Sequence, residues 1–546
     1  MPGTPKDAAR AWTVSDRLFG LSVWLALLGP LGRGNHASDD LWGKLSIPAV
    51  WLASGRFPYM DRFSYTAWGA PWTDHEWLSG VLFYGALHLG GDAGLSLLKA
   101  AMVGLMVAGV LWTARLQRLS VLWPAVLMLL GLPVLYTGLA ATGRPQLFTY
   151  CLFPSLLAFL EDVRLSGRYV RLTLVPLAGA LWANAHGGFI AGLAMVLCYA
   201  LGEALRAKPW KPYLLCALAW AAATVANPYG FGYWRYLAFA LPLARPQIAE
   251  WNAVVLAGTQ DWPLKLCILC AAGAILLAVE RARKGRASWR DLPWPHILAL
   301  LAAFWQSFRA AKLAPLGVLS AACCVPALLA EALPQLREDS RRRTPSALPA
   351  LGLAAAALWA LGCWYDMRPR LRPWVVRVMD ADSPAGAVRF LERSGSCGNL
   401  WTSFESGEFA YWRLYPRFRV AMDGRLECVY PMDVFARHAK TTFDARTGDP
   451  ALAQADWALL DRRNAFLYDT LRASPLWRLE YQDATYAVLR HAAGPPAAAP
   501  VKAAEDGWSP TAALFRPEED RARFAGYAAE STALSARAAA CSGRSP

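Results

Sequence analysis

Apolar residues in this chain gather into blocks of about 18–22, the length that crosses a hydrocarbon core as a helix. A stretch such as "LKLCILCAAGAILLAV" must satisfy its own backbone polar groups, which leaves a bundle of membrane helices as the expected fold. Composition agrees. Of 546 residues, 56% are hydrophobic and only 17% are charged, against roughly 25% charged in a soluble chain. Mean hydropathy is +0.25. The net charge of +15 does not point to nucleic acid. The basic residues sit in short clusters between apolar blocks, a pattern that sets topology rather than one that tracks a phosphate backbone.

The blocks read as about eleven spans, near 17–33, 93–114, 119–140, 145–160, 171–186, 189–205, 212–227, 263–280, 294–308, 313–331 and 347–365. With the N-terminus placed in the cytoplasm, the inside loops carry Lys6, Arg10 and Arg17; Arg115 and Arg118; Arg164, Arg168 and Arg171; Arg206, Lys208 and Lys211; Arg281, Arg283, Lys284, Arg286 and Arg290; and Arg337 with Arg341, Arg342 and Arg343. Each is short and basic, as the positive-inside rule requires. No small-residue cleavage site follows the first block, so no cleavable leader is expected. Outside lie a long first loop (34–92), a segment near 228–262, and everything after about 367.

The expected division is a transmembrane domain over 1–366, an extracytoplasmic α/β domain over 367–491 and an Ala/Pro-rich flexible tail over 492–546. In the second, the runs "NLWTSF", "FRVAMDG", "ADWALLD", "WRLEYQD" and "TYAVLR" read as strands separated by helical patterns. The first loop reads as two amphipathic helices, about 39–54 and 74–89, lying along the interface, with Trp72 and Trp77 at headgroup level. Most cysteines fall in apolar blocks and behave as small hydrophobes; Cys397 and Cys428 lie in the polar part, where a disulfide is permitted.

Ionisable and amide side chains collect at the outer ends of the spans: Asp39 and Asp40; Asp74, His75 and Glu76 in "PWTDHEWLSG"; Arg144 in "ATGRPQLF"; Asn184 and His186 in "LWANAHGGF"; Asn227 and Tyr229 in "ANPYG"; Glu250; and Arg309 with Lys312 in "SFRAAKLAP". Charges at membrane depth cost about 2.5–3.5 kcal/mol each, so they normally line a cavity or a site. Singly, each is more often an interfacial anchor or a structural partner. Carboxylates such as Asp40, Asp39 and Glu76 suit a general base, or ligands for a hard divalent cation such as Mg or Mn, which they permit without requiring. Arg144, Arg309 and Lys312 suit a phosphate leaving group. His75 and His186 suit acid/base, ligand or hydrogen-bonding roles, and Asp74 doubles as a helix cap. Acid and base together at a membrane surface fit transfer from a lipid phosphate donor. In "MDGRLECVY", Asp423 and Arg425 read first as a turn and a structural ion pair, and second as an acceptor contact.

The layout resembles the GT-C class of integral membrane glycosyltransferases, in which an acidic pair follows the first span on a long outer loop. Here "SDDLWGKLSIPAVWLASGRFPYMDRFSYT" stands at that position. More closely, "DLWGKL" through "PWTDHEWL", "RPQLFT", "WANAHGGF", "NPYG" and "GEFAYWRLYPRFRVAMDGRLECVY", spread over roughly 35–490, resemble the motifs of an uncharacterised bacterial group of GT-C-like multi-pass proteins. The resemblance implies Asp40 as base, a polyprenyl-phosphate-linked sugar as donor, and a glycan, lipid or protein acceptor. It places the chain in the bacterial cytoplasmic membrane, with the C-terminal domain outside. Two departures stand out. Gly43 and Lys44 replace a Trp and a His common in relatives, and the class's Asp-Glu pair is Asp-Asp. The first keeps a non-catalytic lipid-glycan binder in view as the alternative. A transporter ranks third, since no internal repeat or pair of broken helices is evident.

Overall fold

The computed structural model describes residues 14–33, 35–246, 248–255, 261–285, 287–333, 374–379, 383–443, 449–493 and 508–527. The chain separates into two compact units: residues 1–35 with 97–373, and residues 36–96 with 374–546. The first loop does not group with the helices expected to cross the membrane. It folds with the C-terminal unit.

The first unit is helical: α1 (Val14–Arg33), the C-terminal part of α3 (Trp77–Leu116), α4 (Leu122–Leu130), α5 (Leu132–Leu139), α6 (Gln146–Ser166), α7 (Val175–Ala185), α8 (Phe189–Leu205), α9 (Lys211–Ala223), α10 (Gly232–Ala240), α11 (Trp262–Arg283), α12 (Trp294–Arg309) and α13 (Ala314–Ala332). Every expected span up to 313–331 falls on helix; the one at 347–365 lies outside the described residues. Among the described residues, three helices are long and apolar enough to cross a membrane: Trp77–Leu116, Trp262–Arg283 and Ala311–Ala332. Several of the others are shorter because the chain breaks them. Gly131 divides the expected 119–140 span into α4 and α5, and a 3-10 turn at Tyr169–Leu174 delays α7.

Helix α13 is the axis of this unit, packed by α11, α12, α4 and α6. Its apolar window is 89% buried, against 33% for α11, whose Leu269 and Leu276 face outward. Where α3 meets α6, a Cβ on Gly109 would stand 2.7 Å from the Ser155 nitrogen, so the close helix contact depends on a residue without one. A polar network crosses the apolar interior. Glu161 is buried and takes two hydrogen bonds from Arg164, one from Gln117, and a contact of 3.2 Å from His296 Nε2. Such a pair is tolerable there only because every carboxylate lone pair finds a donor.

Among its described residues the second unit holds α2 (Asp40–Ser54), the start of α3, α14 (Ala385–Arg393), α15 (Phe404–Leu414), α16 (Met432–Phe443), α17 (Ala465–Ala473), α18 (Pro517–Phe524) and seven strands. Strands β2 (Gly398–Thr402), β3 (Phe418–Val420), β4 (Trp457–Asp461), β5 (Trp477–Gln482) and β6 (Tyr486–His491) form one mixed sheet in the order β3-β2-β4-β6-β5. The β2 pairings are parallel; β4–β6 and β5–β6 are antiparallel. All five expected strand runs are strands. The first loop adds to this sheet, because Ser64 bridges to Val420 in parallel, and Tyr65 N–H donates to the Val420 carbonyl.

Helix α2 therefore does not lie along a lipid interface. Trp42 packs against Phe409 and Trp412 of α15, ring centroids 5.1 and 6.1 Å apart, and the helix is buried from Leu41 to Gly43 and again through Leu45–Val50. Trp72 is not a headgroup anchor either: it is buried beneath Arg425. The expected tail is also structured in part. β7 (Trp508–Pro510) pairs with β1 (Arg377–Met379), while Phe524 and Tyr527 are buried against Phe63 and Tyr415.

Candidate functional site

In the second unit, a buried arginine ties the first loop to the C-terminal strands. Arg425 holds Asp423 through two nitrogens at 2.8 and 2.7 Å, and its third lies 2.7 Å from Asp61. Tyr430 donates to Asp423 at 2.6 Å. Asp61 also accepts from the backbone of Phe63 and Ser64. The guanidinium lies over Phe63, Trp72 and Tyr411. Burial alone would lower the Arg425 pKa, but the two carboxylates hold it well above its usual range. The structural reading of "MDGR" is thus the one the fold displays. Its partner in "YMDRFSYT", more than 360 residues away, gave no signal in the sequence.

"PWTDHEWLSG" is neutralised by a lysine. Lys44 Nζ lies 3.1 Å from Asp74 and 3.0 Å from Glu76. Burial works against the charge, yet these two carboxylates keep the ammonium well above its ordinary pKa. Asp74 also accepts from the Glu76 N–H, in a turn ahead of α3, which begins at Trp77 and not at 75, so Asp74 does not stand at the expected cap position. His75 stands between Glu76, 3.5 Å from Nε2, and Cys428, 3.7 Å from Nδ1. Cys428 is a free thiol, so the Cys397–Cys428 disulfide does not form. Among the described residues, Asp39, Asp40 and Glu76 included, no three acidic, His or Cys side chains are grouped to hold a metal.

Asp39 is exposed and occupies the N-cap position of α2 without a side-chain cap bond. Asp40, in the first turn, is half-buried beside Ser38. One turn on, the Gly43 N–H donates to Glu408 at 3.0 Å. Glu408 is buried on α15. Burial pushes its carboxyl well above the usual range, and Asp40 and Asp423 push further, against Lys44 and Arg425. A Cβ at position 43 would stand 2.3 Å from Glu408 Oε2. Gly43 leaves room for Glu408, and Lys44 answers Asp74 and Glu76. Glu408 was missed because an acid in "FESGEFAYWRL", three residues after Glu405, looks like any helical surface residue.

In the first unit, Arg144, Glu250 and Lys312 converge on a cavity of about 460 Å³. Arg144 lies 3.3 Å and Lys312 3.4 Å from the two Glu250 oxygens. Burial would raise the Glu250 pKa; Lys312 and Arg144 lower it below the usual value. Pro133, Val134, Trp262 and Pro263 give the cavity an apolar wall, and Gln146, Tyr150 and Asp261 add polar groups. Tyr150 was not foreseen, lying within an apolar span. Arg309 does not line this cavity: it is exposed, with its guanidinium 5.4 Å from the Trp305 ring.

The remaining expected residues hold the fold together. His186 bonds to Thr149 at 2.7 Å and accepts from Gly188 N–H, closing α7. Asn184 donates to the carbonyls of Ala180 and Ala226. Asn227 donates to the Thr224 carbonyl and accepts from Tyr229 N–H, making a local turn.

No family model and no curated protein sequence matches the chain. Among solved structures, it is similar to the oligosaccharyltransferase of Archaeoglobus fulgidus in the apo form, with TM-score 0.48 and 11% identity over 81% of this chain and 69% of that one. It is similar to the same enzyme tethered with an acceptor peptide containing the NVT sequon, at 0.48 and 13% over the same shares. A third is the archaeal oligosaccharyltransferase AglB from Archaeoglobus fulgidus, in complex with an inhibitory peptide and a dolichol-phosphate, at 0.49 and 12% over 89% and 75%.

Proposed function

We propose that this chain is a GT-C-type membrane glycosyltransferase that moves a sugar from a polyprenyl-phosphate donor to an acceptor on the outer face of a bacterial cytoplasmic membrane. One observation carries the reading. Arg144 and Lys312, drawn from distant parts of the sequence, meet on one cavity that has an apolar wall. Two cations beside apolar surface suit a ligand with an anionic head and a hydrocarbon body, since guanidinium and ammonium bind phosphate oxygens strongly. The sequence resemblance supplies the reaction class. Asp40 is assigned as the general base that takes the proton from the acceptor hydroxyl or amide. The α2 helix that carries it is held by Glu408 through Gly43.

The test is native mass spectrometry of the gently purified protein beside Arg144→Ala and Lys312→Ala. Co-purified polyprenyl phosphate or its glycosylated form, depleted in both variants, is the expected result and gives the sugar by mass. Bulk phospholipid alone, equal in all three, would sink the donor assignment.

A second reading, a non-catalytic lipid-glycan binder, draws on Lys44, which ties up Asp74 and Glu76. The two readings part on product: an enzyme releases free polyprenyl phosphate and a binder does not.

A further inference from the structure

Glu250 sits where the bound anion of the proposed site belongs. Its two oxygens reach one cation each, at 3.3 and 3.4 Å. Well-made charge-assisted contacts are about 2.7–2.9 Å, and Arg425–Asp423 in the same chain meets that standard. The Glu250 contacts are looser and single. Its side chain is also the most exposed of the three, at 38% against 22% for Arg144 and 18% for Lys312.

The backbone around it is firmly held. Lys312 and Arg245 both lie over the Trp251 ring, at 4.0 and 4.3 Å, and the Asn252 carbonyl accepts from Ala311 N–H at 2.9 Å. The Glu250 side chain is therefore free to rotate out while its turn, Ala249–Trp251, stays in place.

We infer that Glu250 is a displaceable counter-ion: a carboxylate that keeps Arg144 and Lys312 paired when the site is empty and yields them to the phosphate of an incoming polyprenyl phosphate. This rests on the phosphate-site reading above. Its consequence is a lower affinity for anions in general, and a preference for ligands whose hydrocarbon part gains enough on the apolar wall to offset the displacement.

The experiment titrates farnesyl phosphate, farnesol and inorganic phosphate onto the intact detergent-solubilised protein, read by tryptophan fluorescence. Wild type is compared with Glu250→Gln, Glu250→Asp and Arg144→Ala. Farnesyl phosphate is expected to bind Glu250→Gln about five- to tenfold tighter than wild type, as removal of a partly exposed competing charge allows. Glu250→Asp, with a retracted carboxylate, is expected in between, and keeps the test alive if the Gln variant misfolds. Arg144→Ala is expected to bind at least about tenfold more weakly, and farnesol equally to wild type and Glu250→Gln. If Arg144→Ala weakens binding but both Glu250 variants match wild type or bind less well, the counter-ion role is overturned while the phosphate site stands. If farnesyl phosphate binds no better than farnesol in any variant, the phosphate site itself fails. Inorganic phosphate binding as tightly as farnesyl phosphate would overturn the lipid preference.

Discussion

Replacing Gly43 with alanine tests how the second unit is held around its candidate base. The added methyl would lie 2.3, 2.4 and 2.5 Å from Glu408 Oε2, Cδ and Oε1, roughly 1 Å inside ordinary contact. Glu408 is buried, so its carboxyl has no open space to retreat into, and moving breaks its 3.0 Å bond to the Gly43 N–H. Overpacking costs about 1–3 kcal/mol, and a buried carboxyl that loses its donor about 1–3 more. The gain in helix propensity from Gly to Ala returns about 1. The net is a loss of about 3 kcal/mol, or roughly 6–12 °C in the melting temperature of a unit this size. Thermal unfolding of the detergent-solubilised protein, followed by near-UV circular dichroism, reads it. Glu408→Ala removes the obstacle, so the double variant is expected to be no less stable than Glu408→Ala alone. Gly43→Ala melting with wild type, or strict additivity in the double variant, would refute the reasoning.

Other outcomes follow from the same contacts. Arg425→Met leaves Asp61 and Asp423 buried without their cation and is expected to cost about 3–5 kcal/mol, seen as protease cleavage within 55–75 under native conditions. Burial against Trp401, with ring centroids 4.7 Å apart, pushes His438 down to about 4 despite the pull of Asp449. Because the unfolded histidine titrates near 6.5, stability is full above that pH and falls as acid approaches 4; at pH 5 the loss is about 2 kcal/mol, and His438→Phe is expected to flatten this part of the pH–stability curve. Arg309→Ala is expected to retain donor as wild type does, while Arg144→Ala loses it, in the same native mass spectra.

Much of the fold was legible because membrane helices and strands write their periodicity locally. The block lengths marked α6, α8, α11 and α13, and alternation marked β2 through β6. What escaped was pairing at long range. Nothing in "DLWGKL" announces that its glycine accommodates a glutamate on α15, or that its lysine neutralises "DHE"; both depend on side chains distant in sequence. Helix α2 was misplaced at the interface because an amphipathic helix presents the same pattern to lipid as to a protein core. Of the residues gathered by counting charges at depth, Arg144, Glu250 and Lys312 line one cavity, although the expected trio was Arg144, Arg309 and Lys312. The same count swept in Arg309, Asn184, His186 and Asn227, since an exposed cation, a helix cap and a turn residue carry the same letters as a ligand-binding group.

The most direct test of the central claim is the release of free polyprenyl phosphate by the purified protein supplied with glycosylated polyprenyl phosphates, comparing wild type with Asp40→Asn. The account predicts release by wild type and a fall of about 10²–10⁴-fold in the variant, which should still melt normally and still hold donor in native mass spectra. Release by Asp40→Asn at the wild-type rate would contradict the assignment of the base, and no release by wild type would contradict the enzyme.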